Sequence, residues 1–456
     1  MTISNLLLST TIFVLFFVIF GNAQGTYLEY AQVPLYGIIF TEIALILVNR
    51  KFKNPLLDII NLIFVIFFIL RVPVIYGDDL VSDIYFRNVN IEKVNYALYV
   101  LDYQLIVLSA CVLLIRPASI DSSKMNITND VWRRLLGFTS IILFLNIVYI
   151  ATAFRIGESN LPSSVAIFFA LFNWGSILIL LVPLLVTESY NIEVKFRVFL
   201  YVELAICALL VMYTGSKSGL FQIVGIYLVS FLAIHGASYR ISFRTLLICF
   251  SALLVAVVMY LLGGIFNKIQ RSQVDLDNWY DLLILSLDNL SNVFNGLSFR
   301  IGYLDFYIDK LTQEVYASAF QLKYYIMAFI DAVTPGFDVF GGDVPLVSRA
   351  VYINYFDNYG GANSEVMTVF AEAHLLFGYF SFIAYLFVLS VILLVREYGF
   401  RFNTDYGKLI QRTFLCYIFY RYMLGIGIDY WLFGDVIYMI IFVALSFRYI
   451  GVWLQR

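Results

Sequence analysis

Glu372 and His374 are the residues of this chain best suited to moving a proton, and His374 is one of only two histidines present. A carboxylate or an imidazole can take the proton from an attacking hydroxyl if it is held within hydrogen-bond reach. Around them in sequence stand cations of a different use: Arg271, Arg300 and Arg349, with Lys217 further upstream. Arginine's planar fork grips phosphate oxygens in pairs, and lysine supplies a point charge. Gly360-Gly361 follows Arg349 after ten intervening residues and allows a backbone to approach a large ligand closely. The same residue types also have quieter uses. Cations at a membrane face touch headgroups, and a boundary histidine often serves as an interfacial hydrogen-bonding residue.

These residues need elements to place them. Asn363 and Ser364 are good helix N-caps. The sequence therefore predicts a helix that starts there, carries Glu365, Thr368 and Glu372 on one face, and runs into an apolar span at 376–395. On a regular helix His374 is turned about 200° from Glu372, so the two cannot enter one pocket together. The stretch 266–375 is the one long polar-aromatic interruption in an otherwise apolar chain. Within it, Asp281–Asn295 has the spacing of an amphipathic helix at the membrane surface, and Ala317–Val333 that of a surface or re-entrant helix stopped by Thr334-Pro335-Gly336.

The frame is legible from composition. Of 456 residues, 62% are hydrophobic and 13% charged, about half the charge of an ordinary soluble domain. Apolar runs near 5–22, 33–49, 56–76, 94–115, 135–154, 164–187, 197–213, 219–235, 245–265, 376–395, 409–427 and 431–450 predict about twelve transmembrane helices. The expected fold is thus an all-α polytopic integral membrane protein. It is one membrane domain over residues 1–456, with 266–375 as a large outer loop between the ninth and tenth spans. Alternate loops carry Arg50, Lys51 and Lys53, then Arg116, Lys124, Arg133 and Arg134, then Lys195 and Arg197, then Arg240 and Arg244, then Arg396, Arg401, Lys408 and Arg412. The positive-inside rule puts that set, and both termini, in the cytoplasm. The long loop and the Gly215-Ser216-Lys217-Ser218-Gly219 turn then face outward, which in a bacterium is the periplasmic side of the inner membrane. The apolar run 6–20 reads as a retained first helix, without the basic start of a signal peptide.

Other chemistries find little footing. Cys111, Cys207, Cys249 and Cys416 all fall inside predicted spans, and no Cys/His cluster is spaced for a metal. Asp275-Leu-Asp277 imitates a metal-binding pair, but that pattern is common by chance, so no metal and no cofactor is assigned. There is no polybasic tract for nucleic acid. Glu42, Arg71, Asp102, Glu203, Arg421, Asp429 and Asp435 lie within or at the ends of spans, where charges are functional candidates by default. They leave open a lipid-linked oligosaccharide flippase or another secondary transporter. Against that, the chain has no internal repeat of the kind carriers show.

The layout of spans, the turn Gly215–Gly219, the Arg349-to-Gly360 spacing and the stretch Glu-Ala-His-Leu-Leu-Phe-Gly at 372–378 together resemble the Wzy-type O-antigen polymerases. That group also includes the O-antigen ligases. The turn is similar to the family's Gly-Ser-Arg-x-Gly, with Lys217 in the place of arginine. The likeness covers most of the chain in layout and about 30 residues in motif. Ligases of this group begin the closing helix with a His-Asn or similar pair, and this chain has Asn363-Ser364 there, which favours polymerase over ligase. The resemblance implies a metal-independent membrane glycosyltransferase of GT-C-like architecture. It would act on undecaprenyl-diphosphate-linked oligosaccharides as donor and acceptor, within membrane lipid and beside a chain-length regulator protein. Glu372 or His374 would serve as base, and Arg300, Arg349, Lys217 and Arg271 would hold the diphosphate.

Overall fold

The computed structural model describes residues 2–21, 28–29, 31–77, 91–115, 128–152, 172, 174–186, 193–213, 217–240, 303–312, 322–333, 368–396, 405–424 and 437–450. Among these residues the chain is helical, with no strand beyond an isolated bridge between Thr2 and Arg240. Among the described residues, five helices are long and apolar enough to cross a membrane, or six if one bent pair counts as a single span.

The first two are α1 (Ile3–Phe20) and α2 (Gln32–Phe52). Thr2 caps α1 by accepting from the Asn5 N–H at 3.1 Å. The turn out of α2 shows how short polar residues pack helices tightly. Lys53 takes the left-handed conformation, and Pro55 fills the first position of α3 (Pro55–Phe64). The Asn54 side chain caps α3 at Leu56 N–H and donates to the carbonyls of Val112 and Ile115. Those carbonyls close the end of α5 (Ile91–Leu113), so one asparagine serves two helix termini.

Between α3 and α4 (Arg71–Gly77) lies a π turn at Val65–Ile69. Pro73 explains it. Proline lacks the N–H that the Ile69 carbonyl would receive, and its ring crowds that carbonyl. The ladder loosens, and the Leu70 N–H reaches back five residues to Val65 at 2.9 Å.

The middle of the chain supplies α6 (Asn129–Thr152), α7 (Trp174–Val186), α8 (Val194–Tyr213) and α9 (Lys217–His235). Glu203 of α8 accepts from Thr139 and Ser140 of α6 at 2.6 and 2.5 Å, a polar clasp of the kind that joins helices in lipid. From the long loop come α10 (Tyr303–Thr312) and α11 (Leu322–Val333). The chain continues with α12 (Val369–Phe377), α13 (Phe382–Leu394), α14 (Asp405–Met423) and α15 (Ile437–Ile450).

Two helices act as hubs. α5 packs against α2, α10, α12 and α13, while α14 packs against α3, α7 and α9. At the α9–α14 crossing a Cβ on Gly225 would collide with the Tyr420 ring and hydroxyl, so any larger residue there must displace that buried side chain. Large apolar side chains such as Phe13, Phe16, Phe40 and Phe144 remain exposed on the spans, which suits a lipid-facing surface.

One sequence expectation is corrected here. The helix carrying Glu372 does not run straight into the tenth span. Thr368 caps α12, and Gly378 stops it at φ +58°, where a glycine backbone rests without strain. A short 3₁₀ turn at Gly378–Phe380 follows, and α13 departs at 116°. Tyr103 donates to the Tyr379 carbonyl at 2.6 Å, which satisfies one group freed by the break. The proposed caps Asn363 and Ser364, the Asp281–Asn295 helix and the span at 245–265 lie outside the described residues. For Ala317–Val333, the described helix is Leu322–Val333.

Candidate active site

Glu372 sits in the first turn of α12, where exposed backbone N–H groups favour negative charge. Thr368 builds that turn: its hydroxyl accepts from the Ala371 N–H, and its carbonyl from the Glu372 N–H at 3.1 Å. The carboxyl is buried and accepts a 2.6 Å hydrogen bond from the Tyr325 hydroxyl of α11. Tyr422 of α14 stands close enough to interact with it electrostatically. The helix is held by Phe370, whose ring meets Phe64 and Phe68 edge-on at centroid distances of 6.0 and 5.6 Å.

Beside α12 lies α10, which is not a solvated loop helix. Every residue from Tyr303 to Lys310 is buried. Tyr303 packs edge-on against Phe67 of the π turn at 4.8 Å, and its hydroxyl donates to the Leu424 carbonyl at the end of α14. Asp305 and Asp309, one turn apart, face two cations. Arg71 donates to Asp305 through Nε at 2.7 Å, with a second guanidinium nitrogen at 2.6 Å. Lys310 Nζ lies 3.2 Å from Asp309. Among the described residues, two ion pairs, Arg71–Asp305 and Lys310–Asp309, are thus buried along α10. A buried ion pair roughly offsets its own desolvation, so burial alone does not account for such a set.

His374 points elsewhere, as its offset from Glu372 requires. Its Nε2 lies 3.2 Å from the Tyr96 hydroxyl, and its ring meets Tyr96 and Tyr379 edge-on. It is half-buried among tyrosines of α5 and the 3₁₀ turn, a different neighbourhood from that of Glu372.

Of the cations read from sequence, Lys217 opens α9, and Arg271, Arg300, Arg349, Gly360 and Gly361 lie outside the described residues. The residues that sequence reasoning passed over are Asp305, Asp309, Lys310 and Tyr325. A signal was present: Arg71 inside a span needs an acid, and Asp305 and Asp309 at helical spacing in an apolar-aromatic stretch offer one.

Among the described residues, no group of three or more His, Cys, Asp or Glu side chains is placed to hold a metal ion. Cys111, Cys207 and Cys416 are buried free thiols. Glu42 of α2 is fully buried, and neither of its carboxyl oxygens has a hydrogen-bond partner among the described residues. No protein-family model, no curated protein and no solved structure matches this chain.

Proposed function

We propose that this chain is a polymerase of lipid-linked oligosaccharide repeats, a metal-independent glycosyltransferase of the bacterial inner membrane. The observation that carries the reading is Glu372: a carboxyl at a helix N-terminus, buried between loop-derived helices and fed by the Tyr325 hydroxyl. The resemblance of its stretch to the closing helix of Wzy-type polymerases adds the substrate class. In the proposed step an acceptor sugar hydroxyl attacks the anomeric carbon of the donor. The new C–O bond forms as the bond to the lipid diphosphate breaks, and the diphosphate leaves with the electron pair. Glu372 takes the hydroxyl proton, and Tyr325 orients its carboxylate. Lys217, Arg300, Arg349 and Arg271 would steady the departing charge, as the resemblance implies. His374 is the rival base on the opposite side of α12. Twelve spans, cytoplasmic termini and an outward-facing 266–375 belong to the same proposal.

Glu372→Gln keeps shape and removes the base, so long glycan chains should fall by about 10²-fold or more at matched membrane levels. Tyr325→Phe deletes one hydrogen bond to a charged group and should cost about tenfold. The readout is the length distribution of lipid-linked glycan made by purified protein in detergent. Normal chain length from Glu372→Gln would sink the assignment, and dependence on a lipid A core acceptor would point to ligase instead. One observation favours a second reading. An isolated buried acid such as Glu42 is what a proton-coupled carrier uses. On that reading Glu42→Gln abolishes function while Glu372→Gln does not, and no glycan lengthens without a gradient.

A further inference from the structure

A pocket of about 130 Å³ opens between the start of α1, the end of α2, the start of α3 and the segment after α9. Its volume equals that of roughly four waters in the liquid, more than one ion would fill. Floor and rim differ in charge. At the floor are Asp58 and Asn61, both buried. The Asp58 carboxyl accepts from Asn49 Nδ2 at 2.6 Å and from the Ala237 N–H at 3.0 Å, which fixes its orientation. Asn61 Oδ1 is buried and has no hydrogen-bond partner among the described residues. A buried amide oxygen left unbonded costs free energy, and Asn61 is among the residues that line the cavity.

At the rim stand Arg50 and Lys53. Arg50 spends two donors on Ser4 and Asn5, at 2.9 and 2.7 Å, and a guanidinium has five. Lys53 is exposed in the turn after α2, and no side-chain partner is found for its ammonium among the described residues. His235 completes the wall, tied to the Val186 carbonyl at 3.0 Å. The pocket therefore offers cations where it opens and oxygen acceptors at its base, at the end of the bundle that carries Arg50, Lys51, Lys53 and Arg240. A zwitterion with an anionic and an ammonium end matches that order.

We infer that this pocket binds the phosphoethanolamine headgroup of a membrane phospholipid. Its phosphate lies against Arg50 and Lys53, and its ammonium reaches Asp58 and Asn61. Ammonium supplies three donors for the unbonded Asn61 oxygen and for the Asp58 carboxyl, which also feels the positive charge of Arg412 from α14. A basic notch between helix ends at the membrane surface is a recognised place for lipid phosphate. Choline has the same charge but no N–H to give.

The test is native mass spectrometry of the full chain released from nanodiscs of phosphatidylethanolamine, phosphatidylcholine or phosphatidylglycerol. One retained phosphatidylethanolamine is expected, with little retention of the other two. Lys53→Asn removes the rim cation while keeping a residue that tolerates the left-handed backbone, and should lower retention about fivefold. Asn61→Leu should do the same from the floor, and Lys53→Asn decides the matter if that variant fails to fold. Equal retention of ethanolamine and choline lipids, stronger retention of the glycerol lipid, or no effect of Lys53→Asn would overturn the site. Free inorganic phosphate that displaces the lipid at millimolar concentration would overturn the headgroup as its natural occupant.

Discussion

Arg71 shows how strongly one side chain can constrain this molecule. It is buried, and its partner Asp305 is buried with it. Breaking a buried pair by removing one member typically costs 3–5 kcal/mol. Removing both in favour of apolar residues of similar volume is often close to neutral. Arg71→Met and Asp305→Leu should therefore each lower the thermal midpoint sharply in detergent, while the double variant recovers most of the loss. If the pair is only scaffold, the double variant also keeps its activity. Loss of activity with recovered stability would place the pair in the catalytic machinery. Asp305 also shows where sequence reading stops. Its helix, Tyr-Leu-Asp-Phe-Tyr-Ile-Asp-Lys, has charges one turn apart, the usual pattern of a solvated face. Only the identity of its neighbours, α5, α12 and the π turn, makes it core, and no local pattern encodes those neighbours. The divergence of Glu372 and His374 was the opposite case, since helical geometry alone dictates it.

At the scale of elements, the break at Gly378 decides what α12 is for. A straight helix would carry Glu372 along the axis of α13. The 116° bend instead turns α12 aside, and Phe370 docks it on Phe64 and Phe68. Space around Gly378 is open, so a side chain there meets nothing, and the cost of Gly378→Ala is conformational alone. That cost is on the order of 1–3 kcal/mol for a backbone region reserved for glycine. The expected result is a modest loss of thermal stability and a larger loss of activity, because relief of the strain rotates Glu372 away from Tyr325. A variant that loses stability but keeps full turnover would contradict this role for the bend. The apolar run across the break gave no hint of it, because periodicity reports which residues are buried and not whether the axis is straight. The π turn at Val65–Ile69 was hidden in the same way, although Pro73 was there to suggest it.

On the scale of the whole molecule, the membrane character was written in composition, and the apolar runs 5–22, 33–49, 197–213 and 219–235 foretold α1, α2, α8 and α9 to within a few residues, while α10 was not foreseen. Their orientation is a separate matter, and the proposed register makes it testable. Reporter fusions after Lys124, Arg240 and Arg401 should be active only in the cytoplasm, and fusions within 78–90 or 266–302 only outside it. A cytoplasmic signal from 266–302 would move the candidate active site to the wrong face for a polymerase. The phospholipid pocket would then have to lie in the outer leaflet.

The Arg71–Asp305 pair also links two residues 234 positions apart in the chain. At roughly 5–20 residues per second, a ribosome delivers Asp305 about 10–50 s after Arg71. For that interval α4 carries an arginine whose bond to Asp305 is not yet made. The nascent protein must shelter it in the insertion machinery, at the lipid boundary or against a provisional acid. Its most exposed moment is thus during its own synthesis, and Asp305→Leu chains should accumulate in the membrane to a lower level than the double variant.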